Sequence, residues 1–263
     1  KEVVKKMNPS ADINENDTII EIGPGLGALT FELAKKAKKV IAVEKDKKLF
    51  EILNKNLKTS GIENVFLVNG DALRPISLLG PEEWSGDRYK LVANLPYNIA
   101  TAVIMKFLTM ENPPKKIVAM TQKEVAQRIV AQPPKMNKLA VFCQIYSSPK
   151  IIEIVPPTAF YPKPKVYSAI LQLTPNNCKE FDSLQPSQKK EFEQLVNVGF
   201  SHPRKTLLNN LISGKNQPFT DLPKEKALQW LKKNNLNPTQ RPETLSIHNW
   251  ANLAKTLKTF HNN

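Results

Sequence analysis

Cysteine is scarce in this chain: two in 263 residues, Cys143 and Cys178, far apart in sequence. Neither has metal-ligand spacing, and isolated thiols of this kind suit a reducing compartment, so the chain is read as cytoplasmic. The three histidines, His202, His248 and His261, form no cluster along the sequence, so no metal site is expected. No apolar run approaches the roughly 18 residues that cross a bilayer, and a Walker-type Gly-Lys-Thr loop is missing. No secretory signal is visible either. The chain opens on Lys1-Glu2-Val3-Val4, which reads as the middle of a helix, so an upstream segment is expected.

Charge and apolar content are what the chain does have. The net charge is +14, with 25 Lys+Arg against 17 Asp+Glu in residues 1–175 and 13 against 7 in residues 176–263. The excess is spread over both parts and is no basic tail. A distributed positive field favours a polyanion: nucleic acid first, an anionic membrane second. A lysine-rich, solvated surface would give the same total. Hydrophobic residues make up 41% of the chain, enough for a real core in one large domain or two modest ones.

Short β-rich runs alternate with helical stretches through the first two-thirds. Thr18–Ile22, Val40–Glu44, Val65–Val68, Tyr89–Ala93 and Ile117–Met120 read as strands. Helices are expected at about 28–38, 49–57, 102–109, 123–131 and 138–147, and residues 1–8 read as the end of a helix broken at Pro9. A Pro- and Gly-bearing loop is expected from Pro75 to Asp87. Such alternation implies a mostly parallel, doubly wound sheet. Ile151–Val155 and Val166–Leu173, joined by a proline-rich connection, are expected to add an antiparallel edge. The texture changes at Pro175. Residues 187–258 are helical in period, with polar loops. The expected organisation is therefore an α/β domain over 1–175 and a small all-α domain over 176–263. Leu207, Leu208, Leu211 and Ile212, with Trp230 and Trp250, read as packing of the smaller part.

The stretch Asn94-Leu95-Pro96-Tyr97 follows a strand. Pro96 cannot extend a ladder and biases Leu95 to an extended conformation. A stiff loop at the carboxyl end of a strand is where open α/β sheets bind ligands. This one offers an amide carbonyl from Asn94, a backbone carbonyl from Leu95 and the ring of Tyr97. Two acceptors beside a flat ring suit a planar base with an exocyclic amine; a proline turn with a buried tyrosine would use the same residues. After the first strand, Gly23, Gly25 and Ala28 satisfy a dinucleotide-type turn, and Glu44 ends the second strand about 20 residues on, placed for ribose hydroxyls. An NAD site and an S-adenosylmethionine site both want this much. Asp71 follows the third strand and can accept from an adenine amine. Glu21 is a charge inside an apolar run, so its burial needs pairing; a cofactor role and a structural role both fit.

Taken in order, Glu21-Ile22-Gly23-Pro24-Gly25-Leu26-Gly27, Glu44, Asp71-Ala72, Asn94-Leu95-Pro96-Tyr97-Asn98-Ile99 and Phe160-Tyr161-Pro162-Lys163-Pro164-Lys165-Val166-Tyr167-Ser168 resemble the KsgA-type rRNA adenine N6,N6-dimethyltransferase family. Arg204-Lys205-Thr206-Leu207-Leu208-Asn209-Asn210-Leu211 resembles its helical domain. The resemblance implies a Rossmann-like S-adenosylmethionine-dependent methyltransferase sheet. It implies S-adenosylmethionine as methyl donor, and two adjacent adenines near the 3' end of small-subunit rRNA, in the immature small ribosomal subunit, as target. It further implies Gly23, Gly25 and Leu26 along the methionine and ribose, Glu44 on the ribose, Asp71 and Ala72 at the adenine, and Asn94 to Tyr97 on the target amine. The chain departs from the family at three places. The family's amino-terminal Gln-Asn-Phe-Leu segment has no counterpart here, Pro203 stands where a second arginine is frequent, and Met136-Asn137 replaces a Tyr-Gly pair.

The residue chemistry agrees with that resemblance. An adenine amine is a poor nucleophile, since its lone pair is delocalised into the ring. Two oxygen acceptors on its N–H groups favour a pyramidal nitrogen with the lone pair aimed at a methyl, so alignment counts for more than a strong base. Tyr97 and Phe160 are the stacking candidates. Lys163, Lys165, Arg204 and Lys205 are the phosphate-contact candidates. A monomer working on RNA is the expectation. An NAD-dependent oxidoreductase, a large-subunit rRNA resistance methyltransferase and a non-catalytic assembly or transcription factor of the same fold are the alternatives.

Overall fold

The computed structural model describes residue 7 and residues 9–74, 89–213 and 222–261. The expected loop from Pro75 to Asp87 lies outside the described residues, as does most of the expected helix over 1–8. Pro9, Ser10 and Ala11 are helical, where a break was expected at Pro9. The helix ends at Asp12, whose φ of 51° lies in the left-handed region where helices stop.

Seven strands form one sheet in the order β3-β2-β1-β4-β5-β7-β6. They are β1 Thr18–Ile22, β2 Lys39–Glu44, β3 Val65–Asn69, β4 Tyr89–Asn94, β5 Ile117–Gln122, β6 Ser147–Val155 and β7 Ser168–Pro175. The first five run parallel, and β7 lies antiparallel between β5 and β6. The chain moves outward from β1 to β3, returns to β4 beside β1, then moves the other way. The crevice at that reversal, above the carboxyl ends of β1 and β4, is where ligands bind in such sheets.

Burial explains the strand sequences. β1, β2, β4 and β5 are covered on both faces and read as continuous apolar runs rather than alternating ones. β6, at the edge, alternates between inward and outward residues. One apolar cluster joins Ile19, Val40, Val92, Val118 and Ile170 of the strands to Leu29, Leu33 and Ala37. At the opposite, amino-terminal end of β1 and β4, Lys90 and Asp17 form a buried ion pair at 2.8 Å, and Lys90 also reaches the Asp12 carbonyl.

Helices α1 Thr30–Ala34, α2 Lys47–Ser60, α3 Ala100–Leu108 and α4 Lys123–Ile129 connect the strands. The first is shorter than the expected 28–38, because the turn through Gly27 (φ 90°) runs on to residue 29 before regular helix begins. Asp46 caps α2 through the N–H groups of Lys48 and Leu49, and Gly61 at φ 69° closes it.

The chain divides into two compact units, 1–127 with 147–175, and 128–146 with 176–263. Helix α5, Lys138–Tyr146, therefore belongs with the carboxyl-terminal helices α6 Lys179–Asp182, α7 Pro186–Gly199, α8 Leu207–Ile212, α9 Lys224–Lys233 and α10 Ile247–His261. The break after 175 recurs, whereas residues 128–146, expected with the sheet, group with the helices. Met136, Ala140, Val141 and Ile145 are buried in one core with Phe192, Leu195, Leu207, Leu211, Trp230 and Trp250. Met136 and Asn137 are structural there: Met136 is buried, and the Asn137 carboxamide takes the Ala140 N–H and donates to the Arg128 carbonyl. Cys143 is buried in the same unit, which pushes its thiol up to about 12.

Candidate active site

The site sits in the first unit, on the turns that leave β1, β2, β3 and β4. After β1 the chain bends through Gly23 and Gly25, both at positive φ. The Gly23 N–H donates to the Val43 carbonyl (2.9 Å), and the Gly25 N–H donates to Glu44 Oε2 (3.1 Å). A Cβ at Gly25 would meet nothing within 4 Å, so the backbone there is bare, although Gly25 is not on the walls of the three cavities described below. Gly27 differs: a Cβ would come 2.5 Å from Leu53 Cδ1, so this glycine serves packing of the turn against α2. Leu26 is exposed at the tip of the turn.

Glu44 is buried, and both its oxygens are fixed. Oε1 accepts from the Asp46 N–H at 2.8 Å, and Oε2 from Gly25. Each carboxylate oxygen retains a further lone pair for a hydroxyl donor. Asp71 lies in the turn after β3. Its Oδ1 accepts from the Leu73 N–H (2.9 Å) and its Oδ2 pairs with Lys45 Nζ (3.0 Å). The Leu73 N–H and the Lys45 ammonium hold its carboxyl below the usual range. Ala72 beside it is buried.

Glu21 is 1% exposed, and its Oε2 has no hydrogen-bond partner among the described residues. Burial pushes its carboxyl up to about 8, and the Glu44 charge adds to the rise. The nearby Thr30 hydroxyl opposes it, although Thr30 Oγ1 completes no hydrogen bond in this geometry. Glu21 lines one of the cavities below, and an ammonium placed against it would favour its ionised form.

Asn94 is the last residue of β4, paired across to Met120 of β5. The Leu95 N–H donates to the Met120 carbonyl (3.2 Å), and the Leu95 side chain is buried. The Pro96 carbonyl accepts the N–H groups of Ile99 and Ala100, both at 3.1 Å, and so starts α3. The Asn94 carboxamide is exposed, and neither it nor the Leu95 carbonyl has a partner among the described residues. Both acceptors thus lack a partner among those residues; Leu95 is only 1% exposed as a residue, and it reaches the wall of one of the cavities below. The Tyr97 hydroxyl and Ser168 Oγ lie 2.9 Å apart, which fixes the tyrosine ring while leaving it 37% exposed. Phe160, half-buried, follows a single 3-10 turn at Pro157–Ala159.

Three cavities share these walls. One of about 210 Å3 is lined by Gly23, Glu44, Lys45, Asp71, Ala72 and Pro96, among others. A second, of about 260 Å3, is lined by Met7, Glu21, Gly23, Asn94, Met120 and Phe160 with their neighbours. The third, about 340 Å3, lies between Asn94-Leu95-Pro96-Tyr97 and Phe160-Tyr161. Gly23 is common to the first two, and Asn94 to the last two. The glycine turn also touches the acceptor loop directly, since a Cβ at Gly23 would stand 3.4 Å from Pro96 Cδ.

The structure thus brings Glu21, Gly23, Gly25, Glu44, Asp71, Ala72, Asn94–Tyr97 and Phe160 together. It leaves Leu26, Lys163 and Lys165 exposed and off the walls of these three cavities. Arg204 and Lys205 are exposed in the second unit, in the turn before α8. Sequence reasoning gave no role to Ser168, although it stands at the end of the Phe160–Ser168 stretch, nor to Met7, Met120 or Lys106.

The donor set fits S-adenosylmethionine on three observations: the unsatisfied Glu21 oxygen for an ammonium, the bare backbone at Gly25, and Glu44 locked with lone pairs to spare. Comparison with known proteins gives the family. The family described as ribosomal RNA adenine dimethylase matches residues 1–256. A ribosomal RNA small subunit methyltransferase A of Dehalococcoides mccartyi is 40% identical over 254 residues, 96% of this chain and 82% of that protein. Its counterpart from Ligilactobacillus salivarius is 41% identical over 261 residues, 97% of this chain and 85% of that protein. Among solved structures, a dimethyladenosine transferase from Plasmodium falciparum aligns over 98% of this chain and 96% of its own, at 26% identity and a TM-score of 0.77. The 23S rRNA methyltransferase ErmE shares the fold at a TM-score of 0.72 and 22% identity, over 98% of each chain. With one family matched across the sheet and the helical unit alike, this chain belongs to the ribosomal RNA adenine dimethylases.

Proposed function

We propose that the chain dimethylates the N6 amines of two adjacent adenines near the 3' end of small-subunit rRNA, using S-adenosylmethionine, during ribosome assembly in the cytoplasm. The observation that carries this reading is the pair of free acceptors, Asn94 Oδ1 and the Leu95 carbonyl, in the loop that walls the largest of the three cavities. Family membership and the names of the relatives support the rRNA substrate class. Cys143 and Cys178 form no disulfide, which suits the compartment.

The donor supplies an electrophilic methyl on a positively charged sulfur. Glu44 would hold its ribose hydroxyls, Asp71 its adenine amine and Glu21 its ammonium, with the Gly23–Gly25 backbone beneath. The protein's own work is done on the other substrate. Asn94 Oδ1 and the Leu95 carbonyl accept the two N–H bonds of the target amine. The nitrogen is drawn out of conjugation, and its lone pair faces the donor cavity. As positive charge grows on nitrogen, the same fixed dipoles stabilise it without reorganising. Tyr97, held by Ser168, stacks on one face of the base, and Phe160 closes on the other; such stacking is worth roughly 1–3 kcal/mol per base. The base must leave its own stack to enter, which favours single-stranded or splayed adenines. Lys163, Lys165, Arg204 and Lys205 supply positive charge for phosphates, and Leu26 would contribute backbone to the donor turn.

The deciding experiment incubates the protein and labelled donor with unmethylated small-subunit particles, then maps methyl groups by mass spectrometry. N6,N6-dimethyladenosine at two neighbouring positions is expected. Methylation confined to large-subunit rRNA, or none with donor bound, would refute the proposal.

A further inference from the structure

Lys106 lies on α3, past the residues that line the site, and nothing in the chemistry above uses it. Its ammonium donates to the Ala72 carbonyl and the Arg74 carbonyl, each at 2.7 Å. These carbonyls flank Leu73, whose N–H is already held by Asp71 Oδ1, while the Arg74 N–H donates to the Asp71 carbonyl (3.0 Å). The turn 71–74 is thus closed from inside by Asp71 and pinned from outside by one lysine. Asp71, Ala72 and Leu73 all line the 210 Å3 cavity, and Lys106 does not. The Lys106 helix grows directly from the Pro96 carbonyl of the acceptor loop.

We propose that Lys106 is a positioning residue for the adenine end of the donor pocket: it pins the Asp71 turn to the helix that issues from the acceptor loop, so that Asp71 meets an adenine amine in a fixed pose. This rests on the reading that Asp71 accepts that amine. An ammonium is suited to the task because it can give separate bonds to two carbonyls. Partial burial pulls the proton affinity of Lys106 down, and the Asp71 charge opposes this. A lysine spent only on helix solubility would point outward and bind no carbonyl.

The test measures a preference rather than a rate. Calorimetry gives the Kd of S-adenosylhomocysteine and of its inosine counterpart, in which the adenine amine is a carbonyl oxygen. The wild type, Lys106→Met, Lys106→Arg and Asp71→Asn are compared, with a thermal midpoint for each. Methionine keeps the aliphatic stem, so the helix face stays packed. The wild type should prefer the adenine ligand by about tenfold or more, the scale of one hydrogen bond to a charged group. Lys106→Met should bring the preference within about threefold, whereas Lys106→Arg should keep most of it. If Lys106→Met lowers the midpoint but keeps the preference, the lysine is merely structural and the inference fails. If the wild type lacks the preference, or Asp71→Asn retains it, the underlying reading of Asp71 fails instead.

Discussion

Replacing Glu21 with glutamine tests the electrostatics of the proposed donor pocket without any substrate. In the unfolded chain this carboxyl ionises near 4.5; in the fold it is raised to about 8, chiefly by burial. Between those values the folded protein holds a proton that the unfolded chain releases. Stability associated with Glu21 is therefore fully present below about 4.5 and is lost as pH rises towards 8. The slope approaches 1.4 kcal/mol per pH unit. At pH 7.5 the deficit accumulated since 4.5 is about 4 kcal/mol as an upper bound. Glutamine is neutral in both states and escapes it. The ligand-free Glu21→Gln protein should thus lie level with the wild type or up to about 2 kcal/mol below it near pH 4.5, where an amide N–H left unpaired costs stability, and should exceed it by roughly 2–4 kcal/mol at pH 7.5. Urea melts at several pH values measure this, and the difference between the two proteins cancels every other titrating group. Parallel stability profiles from pH 5 to 7.5 would refute the claim that Glu21 is neutral in the fold.

Other substitutions separate catalysis, packing and binding. Asn94→Ala should abolish turnover while leaving S-adenosylhomocysteine affinity within about tenfold, or 1.4 kcal/mol, as read by calorimetry beside a methyl-transfer assay; equal loss of both would make Asn94 a donor-holding residue. Gly27→Ala should cost about 2–4 kcal/mol in a urea melt, because a positive φ adds to the clash with Leu53. Gly25→Ala should cost only about 1–2 kcal/mol, from backbone strain alone, yet weaken donor binding by intruding on the bare turn. Matching stability losses in the two glycine variants would contradict the separate roles given to them.

The parallel strands were legible because strands covered on both faces are apolar nearly throughout, with Glu21 in β1 and Lys90 in β4 as buried exceptions, and short runs such as those in β1, β2, β4 and β5 are too brief for buried helices. Asn94 and Glu44 could be singled out as candidates because a polar residue that ends such a run stands where open α/β sheets bind ligands. Helix α5 was placed in the wrong unit for a physical reason: its sequence is apolar on most sides, and periodicity says that a helix is buried without saying against what. The state of Glu21 depends on how many neighbours exclude water from it, which no spacing encodes. Lys106 gave no signal at all, since a lysine on an amphipathic helix reads as solvated until its two carbonyl partners are seen. Ser168 was visible as part of a recognised stretch, but its contact with Tyr97 spans 71 positions and follows only from the antiparallel placement of β7.

The grouping of residues 128–146 with 176–263 bears on how this protein can be taken apart. A gene fragment beginning at 176 would lack Met136, Ala140, Val141 and Ile145, one side of its own apolar interior. Such a fragment should be sticky and poorly folded, whereas one carrying the missing helix on a short tether should dissolve and melt cooperatively. The polypeptide enters this unit, leaves it for two strands and comes back, so its modules are interleaved rather than strung end to end.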